Sequence, residues 1–221
     1  MIRQLSIQEI KNSVIKKHYA YTGSNKPYDP FLFGVRSKDL TIVDHFNDAI
    51  GMIYFDDKGS EHILQLAATT KPGLFYLKNQ FGNHKDRTGI LCEGQYIRTW
   101  CSRMPQSNVF PPQPTNQKFI HNGLMYSLGQ MGGEIRYYQD YSLDGKFQLN
   151  PTTITHGYVG CNIHSTNAAY HRDQVWNWSS LCQVVFDYMA FENQFMFVID
   201  KAWDFNRSWM FSYTLFNESD F

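Results

Sequence analysis

A mainly β fold with flanking helices is what the sequence predicts, and three observations carry it. Short apolar or alternating runs recur between turn signals, as in "AIGMIYF" (49–55), "HILQLAATT" (62–70) and "GQYIRTW" (94–100). The separators "DDKG", "TKPG" and "GNHKDR" are too short to hold the crossover helices of βαβ units. Helical periodicity is confined to the two ends of the chain. At 221 residues the chain can bury a sizeable core. It divides into an N-terminal helix and linker over 1–30 and a single domain over 31–221.

The first helix opens at Ser6, which has capping-box spacing to Glu9. Ile10, Val14 and Ile15 give it one apolar stripe before Gly23. "TGSNKPYDP" (22–30) is a turn-rich connector. Strands are expected over the runs quoted above and over "GLFYL" (73–77) and "TGILC" (88–92). "MPQSNVFPPQPTNQ" (104–117) reads as an unpaired surface loop bordering a cleft, because its prolines remove ladder donors. Further strands fall around "KFIHNGLMYSL" (118–128), "EIRYYQDYS" (134–142), "GYVGCNIH" (157–164) and "QVVF" (183–186). "DYMAFENQFMFVIDKAWDF" (187–205) fits one C-terminal helix, with Asp187 near its start and Met189, Phe191, Phe195, Val198 and Ile199 as apolar positions. "SWMFSYTLF" (208–216) closes the chain as a strand.

Composition excludes several classes of partner. Charged residues are 18% of the chain and sum to zero, with basic residues scattered, so there is no footprint for nucleic acid or an anionic membrane surface. No apolar run approaches the ~20 residues of a membrane span. The N-terminus "MIRQLSIQEIKNSVIKKHYA" has no apolar h-region, which predicts synthesis in the cytoplasm without a signal peptide. Cys92, Cys101, Cys161 and Cys182 are then expected to be made as thiols.

Chemistry concentrates in "NIHSTNAAYHRDQVWNWSSLCQVV" (162–185). His164 and Cys182 can be brought side by side by a strand–loop–strand path. A thiol acts as a nucleophile only as thiolate, and a neighbouring imidazole is the usual means of generating it. That pairing predicts a depressed pKa at Cys182 and inert thiols elsewhere, with N–H groups around Cys182 available to an oxyanion. Taken alone, the same two residues also read as a buried structural cysteine and a hydrogen-bonded histidine. His156, Cys161, His164 and His171 give a superficially zinc-like spacing, but Cys161 and His164 would point to opposite faces of a strand, so no metal is assigned. "DYSLDG" (140–145) has partial calcium-loop spacing from Asp140 to Asp144. Pro151 stands where the bidentate Glu belongs, and a hairpin turn tipped by Asp144-Gly145 is the better account. Trp176 and Trp178 share one face if their stretch is extended, as a core wall or as a platform beside the cleft.

"NIH…SSLCQVV" resembles the active-site signature of L,D-transpeptidases, an apolar strand ending in His followed downstream by Ser/Thr-His-Gly-Cys. It also resembles phage and bacterial wall-active relatives with Ser-Ala-Gly-Cys-Gln-Val. "AATTKPG" (67–73), "GILCEGQY" (89–96) and "YYQDYSLDGK" (137–146) are similar to that group, extending the resemblance over most of the chain after about residue 30. The resemblance implies an L,D-transpeptidase-like β-sandwich or barrel that needs no cofactor. It implies Cys182 as nucleophile and His164 as base, with Ser179, Ser180, Trp178 and His171 near the substrate. The implied partner is bacterial peptidoglycan. A wall substrate without a signal peptide suggests a bacteriophage product, released at lysis or carried in a virion beside other virion proteins. Two departures stand out: Leu181 replaces the family's Gly, and no Arg follows Cys182. Two other readings remain: a non-enzymatic virion or tail module that keeps the fold, and a papain-like peptidase using Cys92 or Cys101 with His121 or His156. A nucleophile beside a strand separates the first reading from the last, which needs a Cys at a helix N-terminus.

Overall fold

A computed structural model of the chain describes residues 2–79, 88–107, 109–123, 125–170 and 172–221. The expected turn at "GNHKDR" lies outside them. Helix α1 (Ile7–Lys16) starts at the expected box: Ser6 N–H donates to Glu9 Oε2 at 2.8 Å, and Glu9 N–H to Ser6 Oγ at 3.3 Å. Ile10 and Val14, one turn apart, are buried against Phe31, Phe33 and Phe216. Ile15 lies ~100° further round and is 71% exposed, so the expected stripe loses that member.

The first three strands form a meander: β1 (Phe31–Arg36), β2 (Asp48–Phe55) and β3 (Glu61–Thr69). The strand expected over 73–77 is instead a short helix, α2 (Leu74–Lys78). The reason lies in its surroundings. Gly73 N–H donates to Ser179 O and Leu74 N–H to Asp44 Oδ1, which pins the start of a helical turn. Strands β4 (Gly89–Leu91) and β5 (Gly94–Cys101) follow.

The segment expected to be an unpaired loop is a hairpin, β6 (Arg103–Pro105) and β7 (Pro114–Lys118), with Pro105 opposite Pro114. A two-stranded ribbon has open outer edges, so prolines are tolerated there. It leads into β8 (Ile120–His121) and β9 (Met125–Tyr126), which pair with each other, and then β10 (Gly129–Gln130). Strands β11 (Ile135–Gln139) and β12 (Ile154–Gly157) pair antiparallel, as a hairpin reading requires. Asp144-Gly145 is not a two-residue tip, however. The connection folds back on α2 through Gly145 N–H to Leu77 O, and Asp140 and Asp144 accept N–H groups of Ser142 and Lys146.

Two short parallel strands, β13 (Ile163–Ser165) and β14 (Gln183–Val185), precede the C-terminal helix. That helix begins as α3 (Tyr188–Ala190), with Asp187 accepting from Ala190 N–H at 2.9 Å. It passes through a π-helical segment (Phe191–Phe195) into α4 (Met196–Asn206). Phe191, Phe195, Val198 and Ile199 are buried as expected, while Met189 is 59% exposed. Strand β15 (Met210–Asn217) ends the sheet work by inserting parallel to β1 and antiparallel to β5.

The main sheet runs β10-β5-β15-β1-β2-β3-β14-β13. Reciprocal hydrogen bonds between Leu128 and Ile163, both 2.9 Å, join its two ends into a nearly closed barrel. One face carries the large core of Leu32, Ile50, Trp100, Ile163 and Tyr213 with the C-terminal helix. On the other, Phe31, Phe33 and Val35 meet α1. Among the described residues, no helix is long and apolar enough to cross a membrane.

Candidate active site

The parallel pairing of β13 and β14 sets Ile163 opposite Gln183 and His164 opposite Val184. Residues alternate across a strand, so His164 and Cys182 emerge on the same face, offset by two positions. Cys182 and Val184 pack there with Phe46 and Val175. Leu181 and Val185 turn the other way into the large core. Leu181 thus belongs to the interior, where its Cδ1 would lie 3.1 Å from a Cβ added at Gly89.

His164 is 1% exposed. Its Nδ1 lies 2.8 Å from the Ser165 carbonyl oxygen, which can only accept, so Nδ1 carries the hydrogen. Nε2 is left with its lone pair, buried and without a hydrogen-bond partner among the described residues. A third residue joins from β8. The His121 ring stacks on His164 with centroids 4.1 Å apart and planes 12° from parallel. Cys182 Sγ and ring nitrogens of both histidines lie within 4.8 Å of one another.

Such a trio invites a metal, but its geometry argues otherwise. An imidazole binds an ion in its ring plane. Two rings stacked 4.1 Å apart and only 12° from parallel have planes that meet far beyond metal–ligand distance, so no ion could lie in both planes and bind both rings. The four-residue pattern weighed from the sequence does not assemble either: His156 is exposed on β12, and Cys161 is buried with its Sγ against Leu181 O at 3.3 Å.

Burial governs the electrostatics. It pushes the His164 imidazole down to about 3, helped by His121 and opposed by the Ser165 carbonyl. It also lowers His121. The Cys182 thiol is pushed up to about 11 by burial, against a smaller opposing effect of the Asn162 N–H. The depressed thiol pKa expected from the sequence is therefore corrected: at rest the pair is a neutral thiol beside a neutral imidazole. The other thiols are raised as well, Cys101 to about 12 and Cys161 well above its usual value. All four cysteines are free.

A pocket of about 250 Å³ opens beside His164, lined by His121, Asn122, Met125, Asn177 and Trp178. Trp178 forms one wall and packs edge-on against Tyr170 at 5.2 Å. Trp176 does not share its face. It adopts φ +46°, its N–H donates to Asp44 Oδ1, and its ring meets Phe75 at 5.7 Å. Ser179 is buried and donates from Oγ to the Cys182 carbonyl at 2.7 Å, shaping the turn that presents the thiol. Ser180 is exposed, and its carbonyl accepts from Gly89 N–H. His171 lies outside the described residues.

Sequence reasoning missed Asn162, Asn122 and Asn177 and met His121 only as a base for another enzyme class. Asn162 joins the parts: its carbonyl accepts from Gln183 N–H, its Oδ1 from Gln130 N–H at 3.0 Å, and its Nδ2 reaches His121 Nδ1 at 2.9 Å. The available signal was a carboxamide beside the His-bearing strand. As for the papain-like option, Cys92 follows β4 and Cys101 ends β5, so neither opens a helix. Comparison of the chain with family models, with curated proteins and with solved structures returns no match.

Proposed function

We propose that the protein is a cysteine-dependent peptidoglycan hydrolase or transpeptidase of L,D-transpeptidase-like fold, with Cys182 as nucleophile and His164 as base. One observation supports the reading: the Ser165 carbonyl holds the His164 hydrogen on Nδ1 and leaves Nε2 buried and unpartnered, while a ring nitrogen of His164 lies within 4.8 Å of Cys182 Sγ, whose own hydrogen bond at rest goes to the Gly160 carbonyl at 3.5 Å. Attack on a stem-peptide carbonyl moves the thiol proton to Nε2 and forms the C–S bond. Collapse of the adduct breaks the C–N bond, and His164 returns the proton to the leaving amine. Water then gives hydrolysis, or an acceptor amine gives transpeptidation. Because neither group is ionised at rest, proton transfer accompanies attack rather than preceding it.

Peptidoglycan as the substrate, and a bacteriophage source with the protein released at lysis or carried in a virion, rest on the resemblance of "NIH…SSLCQVV" and its flanking motifs. A second reading, a virion or tail structural module, draws on the burial of Cys182, which is 8% exposed and carries a raised thiol pKa. Purified peptidoglycan incubated with wild type, Cys182→Ala and His164→Ala separates the two. New or lost muropeptides with wild type alone support the enzyme. Identical muropeptide profiles for all three proteins favour the structural module.

A further inference from the structure

A second pocket, of about 260 Å³, lies where the parallel strands β13 and β14 end. Its described lining comes from the residues that follow those strands: Asn167 and Tyr170 after β13, and Phe186, Asp187, Tyr188 and Met189 after β14. Asn167 is three positions beyond His164 and Asp187 five beyond Cys182, which puts the pocket roughly 10–16 Å along the strands from the proposed reacting groups. One aromatic pair links the two regions, because Tyr170 packs edge-on against Trp178, which lines the pocket beside His164. Two of the three aromatic residues are held in place from behind. The Tyr170 hydroxyl donates to Gln174 O, and the Phe186 ring tilts against Phe46 at 5.0 Å. Three polar groups of the lining have capacity left among the described residues. Asn167 Oδ1 accepts from Ala169 N–H at 3.1 Å, which leaves its NH₂ as a donor. Asp187 Oδ1 accepts from Ala190 N–H at 2.9 Å, which leaves Oδ2 as an acceptor. The Tyr188 hydroxyl can do both. Met189, 59% exposed, completes the rim. Asp187 is the one formal charge of this described lining. Beyond it, Arg172 is opposed by its neighbour Asp173 and by Asp44, all three acting on Tyr170.

We propose that this pocket binds a pyranose sugar, and that in the enzyme it holds the sugar chain of peptidoglycan while the stem peptide occupies the pocket beside His164. A pyranose carries both kinds of surface that the lining offers. Its C–H face packs on aromatic side chains, and each of its hydroxyls can donate and accept, so the Asn167 NH₂, Asp187 Oδ2 and the Tyr188 hydroxyl all find partners. An alkylammonium would gain the carboxylate and the rings but leave the Asn167 donor unpaired. An anion would meet Asp187 with no cation in the lining. The sugar assignment stands on this pocket alone, whereas the placement of the peptidoglycan chain rests on the proposed enzyme reading.

Chitobiose, the β-linked dimer of N-acetylglucosamine, is the probe, with choline as the alkylammonium for comparison. Each is titrated into the full-length protein, and binding is read by saturation-transfer NMR and by amide chemical shifts. Transfer to the ring C–H protons of chitobiose is expected, with shifts concentrated at Asn167, Tyr170 and Phe186 to Met189. Choline should bind about tenfold more weakly, the scale of one unpaired hydrogen bond. Asp187→Asn keeps a side chain that caps the helix but removes the free carboxylate oxygen, and should weaken chitobiose severalfold. Tyr188→Leu, which removes a ring and a hydroxyl, should weaken it about tenfold. Cys182→Ala should bind it as wild type does. No binding of chitobiose, or binding of choline at least as tight, overturns the sugar assignment. Affinity unchanged in folded Asp187→Asn and Tyr188→Leu proteins puts the sugar elsewhere and overturns it too. Chitobiose bound at this pocket, with muropeptides left unaltered by wild type, supports the sugar site while overturning the enzyme reading and the chain placement that rests on it.

Discussion

Two buried polar clusters sit on the same sheet and are built in opposite ways. Where β1, β2 and β3 end, Asp48 and Lys71 are both under 3% exposed and form an ion pair at 3.1 Å. Asp48 also accepts from Ser37 N–H and from the Thr70 N–H and hydroxyl, and Lys71 donates to Asn47 Oδ1. Beside them Arg36 donates to the carbonyls of Thr70 and Leu91. In the His121–His164–Cys182 cluster the groups are neutral, and Nε2 of His164 has no partner among the described residues. The first arrangement uses most of its hydrogen-bonding capacity on the chain itself, although Arg36 Nη1 and Asn47 Nδ2 are also buried without a hydrogen-bond partner among the described residues. The second leaves the His164 Nε2 lone pair unpartnered at a pocket, while the Cys182 thiol donates to the Gly160 carbonyl at 3.5 Å. What separates them is charge and access: paired buried charge fixes strand ends in the first, whereas the unpartnered group of the second is an uncharged acceptor whose ring lines a pocket.

The contrast is broken most severely from the structural side. Asp48→Ala strands the Lys71 ammonium and the Thr70 donors, and should cost about 3–5 kcal/mol in denaturant unfolding. Cys182→Ala should change stability far less while removing the peptidoglycan turnover proposed above. If both substitutions destabilise alike, the second cluster is a fold element too.

Next in size is Leu181, one of the two positions at which the chain departs from the signature that the proposed function draws on. Its side chain lies in the large core, so Leu181→Gly should open a cavity and cost on the order of 2–5 kcal/mol, read as a lower melting temperature. No gain in muropeptide turnover should accompany the loss. Unchanged stability would mean that the side chain lines the pocket after all.

The pH response sharpens the comparison further. His164 is neutral in the fold down to about 3 but takes a proton near 6.5 when unfolded. The unfolded chain therefore binds more protons between those values. The stability tied to the neutral ring is present above about 6.5 and is lost progressively as pH falls toward about 3. His164→Phe should flatten the acid limb of a stability–pH curve. Over the alkaline range, iodoacetamide labelling of Cys182 should keep rising toward pH 11 instead of levelling near neutrality. A plateau near neutral pH would reveal a preformed thiolate.

The smallest effect expected is that of Ser179→Ala. It removes the hydrogen bond to the Cys182 carbonyl and should cost about 1 kcal/mol, with a modest change in labelling rate. A large loss of labelling would show that this turn positions the thiol.

Local physics made part of this molecule legible before any coordinates. The Ser6–Glu9 box, the alternating runs of β2 and β3, the Asp187 cap and the closing strand β15 depend on neighbours within a few residues, and each is written in consecutive side chains. That a strand–loop–strand path can bring His164 and Cys182 side by side was legible too, but the spacing alone did not decide between a reactive pair and a structural one. Other features depend on what lies across space. Strand β1, "FLFGVR", escaped the reading because its two faces both meet apolar partners, leaving no alternation to detect. "GLFYL" became a helical turn because Ser179 and Asp44 hold its start. Leu181 entered the core because its neighbour Cys182 faces the other way, and Gly89 on a distant strand supplies the room. The raised pKa of Cys182 and the recruitment of His121 and Asn162 follow from burial and from barrel closure at Leu128–Ile163. Spacing along a chain sets which side chains can meet, but solvent exclusion and tautomer are properties of the closed structure, and those two decide what the thiol can do.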